Sequence, residues 1–552
     1  MKTQHLFLLI LINIPIIGFS QIKSESNFEY EVGEPHPFIN TIENYYFYKN
    51  NEVLTIKLNR QNIVIQKINT TKLNTISTNF YDDFPKRYSV EYVGIIDDRY
   101  FIFYSIWNYK TNSYPLYCRE INFEKACFKS EAILFIEPNF VVKDLFSISF
   151  SSAKQSFVDV TNNPFSTYGF YFNRDHSRVL INYRRDPKVS DKDKDFDVLG
   201  FHVFDNKLKE LWSKDICMPY PEKKMTTIDF SIDSYGNAYV VAAVIDGKGS
   251  KTELNNEIPN YHIELIRINS STNDVEKFPI LIENKFLNTV FINQGKDDEM
   301  ICTGYYSYAD NPVNVAGQFI TIFDKSGKIS QKNSFDFPPE IISDYAQKSI
   351  KKKNSKIEEK GERKPELQNL FVKKLIVAHD GSLIIIGEQS YISTPDHIPG
   401  TSTSNYSTTN YYYNYMIISK INSIGELVWI KKLPKRQHGI KDIKGGMSFK
   451  HFTIENSHFL FFLDNIKNLT LSPDSYPYKH VDGEGGYITA YKVNDITGEI
   501  LKLSLLNTSD INGMETFQFE PERLLPISNN EIIFEVYKKK KEDVFIKVKI
   551  NE

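Results

Sequence analysis

Cysteine is scarce in this chain of 552 residues, with only Cys118, Cys127, Cys217 and Cys302. Four thiols do not make a disulfide-stapled framework at this length, and none stands at metal-ligand spacing from another cysteine or a histidine. Cys118 and Cys127 flank a predicted hairpin (CREINFEKAC), so a cross-strand bridge is compatible with the spacing, although four free thiols is the simpler reading. Net charge is nearly absent too. The 66 Lys and Arg residues face 69 Asp and Glu, which leaves no global field to favour nucleic acid or an acidic membrane. Long apolar runs are missing beyond the first 20 residues, so no second segment is predicted to cross a bilayer. Catalytic signatures are lacking as well: no G-x-S-x-G elbow, no H-E-x-x-H, no phosphate-binding loop and no dinucleotide glycine fingerprint. The residues therefore point to no catalytic group, cofactor or metal.

The first 20 residues stand apart. Lys2 and His5 precede LFLLILINIPIIGF, and the small residues Gly18 and Ser20 come before Gln21, the layout of a secretory signal cleaved after Ser20. The mature chain, 21–552, is expected to be soluble and exported, periplasmic or extracellular, and monomeric.

Aromatic residues are abundant: 34 Tyr and 40 Phe favour strands. From Tyr45 onward the chain repeats a four-run unit joined short, long, short. The unit from Leu370 to Leu433 shows it best, with LFVKKLIVA, HDGS, LIIIGEQSY, a long polar excursion, YYYNYMIISKIN, SIGE and LVWIKKL. Break residues recur at the same step. DSYGN (from Asp233), QGKDD (from Gln294) and HDGS (from His379) separate first from second runs. DNKLKE (from Asp205), DKSGK (from Asp324) and NDITGE (from Asn494) separate third from fourth, and such clusters suit tight hairpins. Trp212 and Trp429 fall at matching places on fourth runs. Second runs such as RYFIFYS, AYVVAAV and FLFFL are apolar almost continuously, the mark of strands covered on both faces. Antiparallel units of that kind stack around an axis in a β-propeller.

The prediction is thus an all-β fold, a single propeller of four-stranded antiparallel blades. Eight first runs imply eight blades, or seven if the first unit lends strands to the last. The final unit has three runs, and the lead segment around Phe28 is expected to supply its missing edge, closing the ring from both termini. A charged stretch at about 340–366 (including KSIKKKNSKIEEKGERK) reads as a solvated linker or marginal helix with no apolar face to bury.

DSYGNAYVVAAV resembles the D-x-x-G-N-x-Y-V turn of bacterial NHL- and SBBP-style propeller repeats. NSIGELVWIKKL (from Asn422) and NDITGEIL resemble the turn of quinoprotein-like propeller repeats. These resemblances cover most of the chain at repeat level and imply architecture rather than activity. The adjacent Cys-Cys pair of many quinoprotein enzymes is absent, since no two cysteines here are neighbours.

In a propeller the first-to-second and third-to-fourth turns share one face, and the remaining connections share the other. The first set is short here, while nearly every long insert falls in the second. Inserts gathered on one face of a repeat array mark a binding face. Its most distinctive loop runs from Ile392, with Tyr406, Tyr411, Tyr412 and Tyr413 among Ser, Thr and Asn. Tyrosine offers broad amphipathic contact, suited to a sugar or a protein surface. His480 and Asp482 lie beside glycines where backbone can approach a ligand, and Lys435 and Arg436 are candidates to clamp an anionic group. Asp191, Asp193 and Asp195 match the opening of a calcium loop, but Phe196 and His202 replace its Gly and Glu, and lysines interleave. The resulting expectation is an exported binding module recognising a glycan or protein through its long-loop face. A glycan-directed hydrolase or lyase is the alternative, ahead of a quinoprotein-type enzyme or an envelope assembly scaffold.

Overall fold

The computed structural model describes residues 23–26, 28–59, 62–138, 142–143, 167–185, 195–246, 261–272, 274–308, 314–361, 364–393, 409–440, 446–472, 475–483, 485–508, 511, 516–538 and 541–550. The expected signal segment 1–20, Tyr406 with most of its loop, Asp191 and Asp193 lie outside them.

Eight small antiparallel sheets form an eight-bladed β-propeller. Blade 1 comprises Glu43–Lys49, Glu52–Leu58, Ile63–Asn69 and Asn74–Tyr81, so the first unit keeps all four strands. The first strands of blades 2 to 7 are Tyr88–Ile96, Tyr168–Phe172, Met225–Ile232, Lys285–Gln294, Leu370–Val377 and Lys450–Ile454. In blade 8 the first strand is split into Thr516–Gln518 and Leu524–Pro526, both paired to Glu531–Lys538. First strands of successive blades approach one another from blade 2 to blade 6 and between blades 8 and 1. Second strands are the most covered: Ala238–Ile245 and Ser457–Asp464 are buried at every position. Each fully buried Ile, Leu or Phe there contributes about 1.5–3 kcal/mol.

Closure uses the N-terminal lead, as the unpaired last unit requires. Tyr30–Val32 and His36–Pro37 pair antiparallel with Glu542–Lys549, the outer strand left bare by the three-run unit. The lead also reaches one blade further, where Lys23–Ser26 runs parallel to Ile500–Asn507 and makes blade 7 five-stranded. Across the seam between blades 8 and 1 lies a fully buried ion cluster. Glu535 accepts from Lys57 Nζ at 2.5 Å, His36 Nε2 at 2.9 Å and Tyr46 OH at 2.7 Å. Among the described residues Asp543 has only ion-pair contacts, 3.7 Å from both Lys57 and Arg523. His36, Glu535 and Asp543 offer three donors within 4.8 Å of one another, but the Lys57 ammonium already occupies the place a cation would take.

The charged insertion takes the helical of its two readings, forming α1 (Pro339–Ser343) and α2 (Lys348–Lys360), but its expected lack of an apolar face is corrected. Helix α2 buries no residue, but Ile341, Ile342 and Tyr345 at and after α1 are buried, the two isoleucines joining Val315, Phe337 and Leu367 in one cluster. Two adjacent isoleucines within five residues make no helical stripe, so the charge around them hides their role. The bridge that the spacing of Cys118 and Cys127 allows is not formed: both thiols are free, the simpler of the two readings. In register, Cys118 faces Ile133 and Cys127 faces Asn122. Four residues of strand separate the two positions, roughly 13 Å and beyond disulfide reach.

The inner strands of blades 2, 4, 5 and 6 each carry one extra residue at the same step, at Glu91, Ile228, Asn288 and Lys373. A bulge adds local twist and re-aims the side chains beside it. In blade 2 the bulge residue Glu91 accepts from the backbone of Thr167 and Tyr168 on the next blade. In blade 4 the adjacent Asp229 accepts from Ile292 in the same manner. These carboxylates staple neighbouring inner strands together.

Candidate functional site

The short-turn end of the axis is bridged. Arg174, in the first turn of blade 3, donates its backbone N–H to Gln294 Oε1 of blade 5, and its guanidinium donates to the carbonyls of Ala378 and His379 in blade 6. One arginine thus ties together turns from three blades, two of them three blades apart. The opposite end carries the stems of the long connections, and two features lie there.

The first is an aromatic shelf on blade 6. Tyr411–Tyr413 do not hang in a loop but open the third strand, Asn410–Ile421, opposite Leu383–Ser393. Tyr391 faces Tyr412 and Tyr412 faces His438 in register, so the three rings share one side of the sheet. Tyr391 and Tyr412 stack at 4.6 Å and 14°, and His438 follows at 4.9 Å. His438 is fixed by Asn410 at 2.9 Å, while burial and the nearby Lys479 and Arg436 lower its pKa and keep the ring neutral. All three rings are half-buried. Arg436 lies beside them with its guanidinium 4.6 Å over the ring of Tyr476, which is exposed.

Lys435 is placed differently from its sequence neighbour. It is wholly buried and donates to Glu388 at 2.6 Å, Gln437 at 2.9 Å and the Tyr413 carbonyl at 3.2 Å. Burial lowers its pKa against the opposing pull of Glu388. The expected anion clamp at Lys435 is therefore corrected: its charge is spent on Glu388, and only Arg436 of the pair reaches the surface. His480 is buried where His480–Val481 runs parallel to Gln437–Gly439. Asp482 accepts from the Gly446 backbone at 2.9 Å. Both hold the stem of the blade 7 loop against blade 6 and so support the shelf from behind.

The second feature is an axial cleft of about 230 Å³ between blades 6, 7 and 8, lined by Lys373, Lys374, Tyr413, Ser448, Lys450, His451 and Glu522 among others. Where the inner-strand bulge carries a carboxylate staple in blades 2 and 4, blade 6 carries the consecutive lysines Lys373 and Lys374. Lys450 pairs with Glu522 at 2.5 Å. Lys374 is exposed onto the cleft yet hemmed in by protein, and this desolvation together with Lys450 lowers its pKa. The sequence by itself marks neither lysine. Their signal, a Lys-Lys pair inside an otherwise apolar inner strand (LFVKKLIV), reads as ordinary strand alternation until the bulge is known.

No protein-family model matches the chain, and no curated protein matches it. Solved structures do match. The WD40 domain of SCAP from fission yeast aligns with 95% of this chain and 98% of its own at 8% identity and a TM-score of 0.35. A Streptococcus pneumoniae sialidase, NanB, aligns over 95% and 94% at 11% identity and 0.30. A Dyadobacter fermentans protein of unknown function aligns over 70% and 94% at 8% identity and 0.28. At these values the likeness carries no argument about activity. The propeller assignment rests on the strand pairings themselves.

Proposed function

We propose that the protein is an exported binding module that recognises a glycan through the aromatic shelf of blade 6. The observation that carries this reading is the registered ladder Tyr391, Tyr412 and His438, three half-exposed rings on one side of a sheet at the long-loop face. Such a ladder presents a flat apolar surface with hydroxyl and ring-nitrogen edges, which matches the alternating apolar faces and hydroxyl rims of sugar rings. Cross-strand pairing makes it rigid before any ligand arrives, so little ordering entropy is lost on binding. Export follows from the signal layout of residues 1–20. The hydrolase alternative calls for a pair of carboxylates around the scissile bond. The described lining of the axial cleft supplies Glu522, already ion-paired to Lys450.

A glycan array with the purified protein tests the reading. Tyr412→Ala removes the middle ring and is expected to weaken the best ligand about 10-fold or more, in line with the loss of one stacked anchor. Undiminished glycan affinity in Tyr412→Ala, or capture of protein partners with no glycan bound, would overturn it.

A further inference from the structure

We propose that the axial cleft is a second ligand site, distinct from the shelf, for a small hydroxylated oxyanion of the uronate type. Its chemistry begins with charge. Among the described lining residues, Lys373, Lys374 and Lys450 face one carboxylate, Glu522. Lys450 and Glu522 neutralise each other, and Lys373 sits 5.9 Å from the ring of Tyr413. Lys374 has no hydrogen-bond or ion-pair partner among the described residues, on a strand whose equivalents in blades 2 and 4 carry carboxylates at the bulge. A cation held in a confined, partly desolvated channel attracts an anion far more strongly than one on an open surface. The described lining includes no arginine fork, and the volume of about 230 Å³ is below the roughly 300–1,000 Å³ of drug-sized pockets. Both features suit one ring-sized ligand with a single negative group.

The hydroxyl requirement comes from a histidine chain behind the lysines. His451 lines the cleft and is only 6% exposed. Its Nε2 lies 3.2 Å from His458 Nδ1, and His458 Nε2 lies 3.1 Å from Asp495 Oδ1. Asp495 in turn pairs with Lys420 at 2.5 Å. An ionised Asp495 only accepts, so His458 donates from Nε2 and its Nδ1 is an acceptor, taken by His451 Nε2–H. That order leaves a lone pair on His451 Nδ1, a buried atom with no hydrogen-bond partner among the described residues. Burial, then Lys374 and His458, disfavour protonation of His451 and preserve it as an acceptor. The cleft therefore pairs the unpaired Lys374 ammonium with a neutral acceptor, and a carboxylate next to a hydroxyl satisfies both. Nδ1 is covered in the ligand-free protein, so its engagement requires the cleft lining to give slightly.

Titration calorimetry with glucuronate, glucose, cyclohexanecarboxylate and inorganic sulfate tests this. Glucuronate is expected to bind more tightly than the other three. Lys374→Met should weaken it about 10- to 100-fold, the usual range for a lost charge-assisted hydrogen bond. His451→Phe should weaken glucuronate while leaving cyclohexanecarboxylate unchanged, and His451→Leu serves if the phenylalanine variant does not fold, whereas His451→Gln, which keeps a donor for His458 and an acceptor oxygen, should retain glucuronate binding. Tyr412→Ala should leave glucuronate binding intact, so this site and the shelf can fail separately. Glucose binding as tightly as glucuronate, or an unchanged Lys374→Met, would overturn the anion site. Sulfate or cyclohexanecarboxylate matching glucuronate would overturn the acceptor role of His451.

Discussion

Lys435 and Arg436 show how one step along a strand end separates structure from recognition. Both are basic and adjacent, yet Lys435 turns inward to Glu388 and Arg436 turns outward to Tyr476. A lysine held among protein atoms is tolerable only while its counter-charge is present. Glu388→Gln is therefore expected to cost about 3–5 kcal/mol in chemical denaturation, the penalty of stranding a buried charge. Removing both charges in Glu388→Gln/Lys435→Met should restore most of that loss, because an apolar pair of similar size avoids the desolvation cost altogether. A double variant no more stable than the single one would count against this account of Lys435. The matched tryptophans belong to this scale too. Trp212 donates to the Gly236 carbonyl and Trp429 to the Asp495 carbonyl, each at 3.0 Å and each on the next blade. Their equivalent positions were legible from the repeat, but their partners were not, because those lie across a blade boundary.

Among elements, the second strands were the most legible and the connector the least. Continuous apolar runs such as AYVVAAV could only be strands covered on both sides, and every residue of Ala238–Ile245 is indeed buried. The connector between blades 5 and 6 is dominated by lysine, and its two anchoring isoleucines drown in that composition. They nevertheless decide where α2 sits, since α2 itself buries nothing. Ile341→Ala with Ile342→Ala is expected to release the connector, seen as rapid protease cleavage and hydrogen exchange within α2. The propeller should stay folded, because the strand pairings of blades 5 and 6 do not pass through the helices. The inner-strand bulges were not legible at all. One inserted residue changes no composition and no hydrophobic count, yet it turns Lys373 and Lys374 together into the cleft.

At the level of the whole ring, stability and pH response meet at the seam between blades 8 and 1. Burial alone would raise the pKa of Glu535, but Lys57, the His36 hydrogen bond and Arg523 outweigh it and hold the carboxyl well below the usual range. Asp543 goes the other way, raised to about 6 by burial and by Glu535. The two have opposite consequences under linkage. The stabilisation from Glu535 is fully present above its unfolded pKa of about 4.3 and is lost only as pH falls below the ordinary carboxylate range. Asp543 binds a proton in the folded state between about pH 6 and its unfolded value near 3.9, so acidification through that window favours the fold. Buried Asp229, raised to about 7, contributes with the same sign. The ring is therefore expected to remain closed, and to gain rather than lose stability through Asp543, as pH drops from 7 to 5. Asp543→Asn should flatten that slope relative to the parent chain in denaturation curves taken across the range. An unchanged slope would show that Asp543 stays ionised.

Repetition is what the sequence alone determined: strand-forming runs, hairpin breaks at constant steps and one unit short of an edge lead to a closed array of blades completed by the N-terminal lead. Those features are local and periodic, and local periodicity is what a linear chain displays. The tertiary structure alone decided which charges are spent and which are free. The Glu388 partner of Lys435, the relay from His451 to Asp495 and the axial reach of Arg174 join residues from 37 to 205 positions apart, apart from the seven between the two histidines. Such pairings depend on how blades abut and how inner strands twist, and no pattern along the chain encodes them.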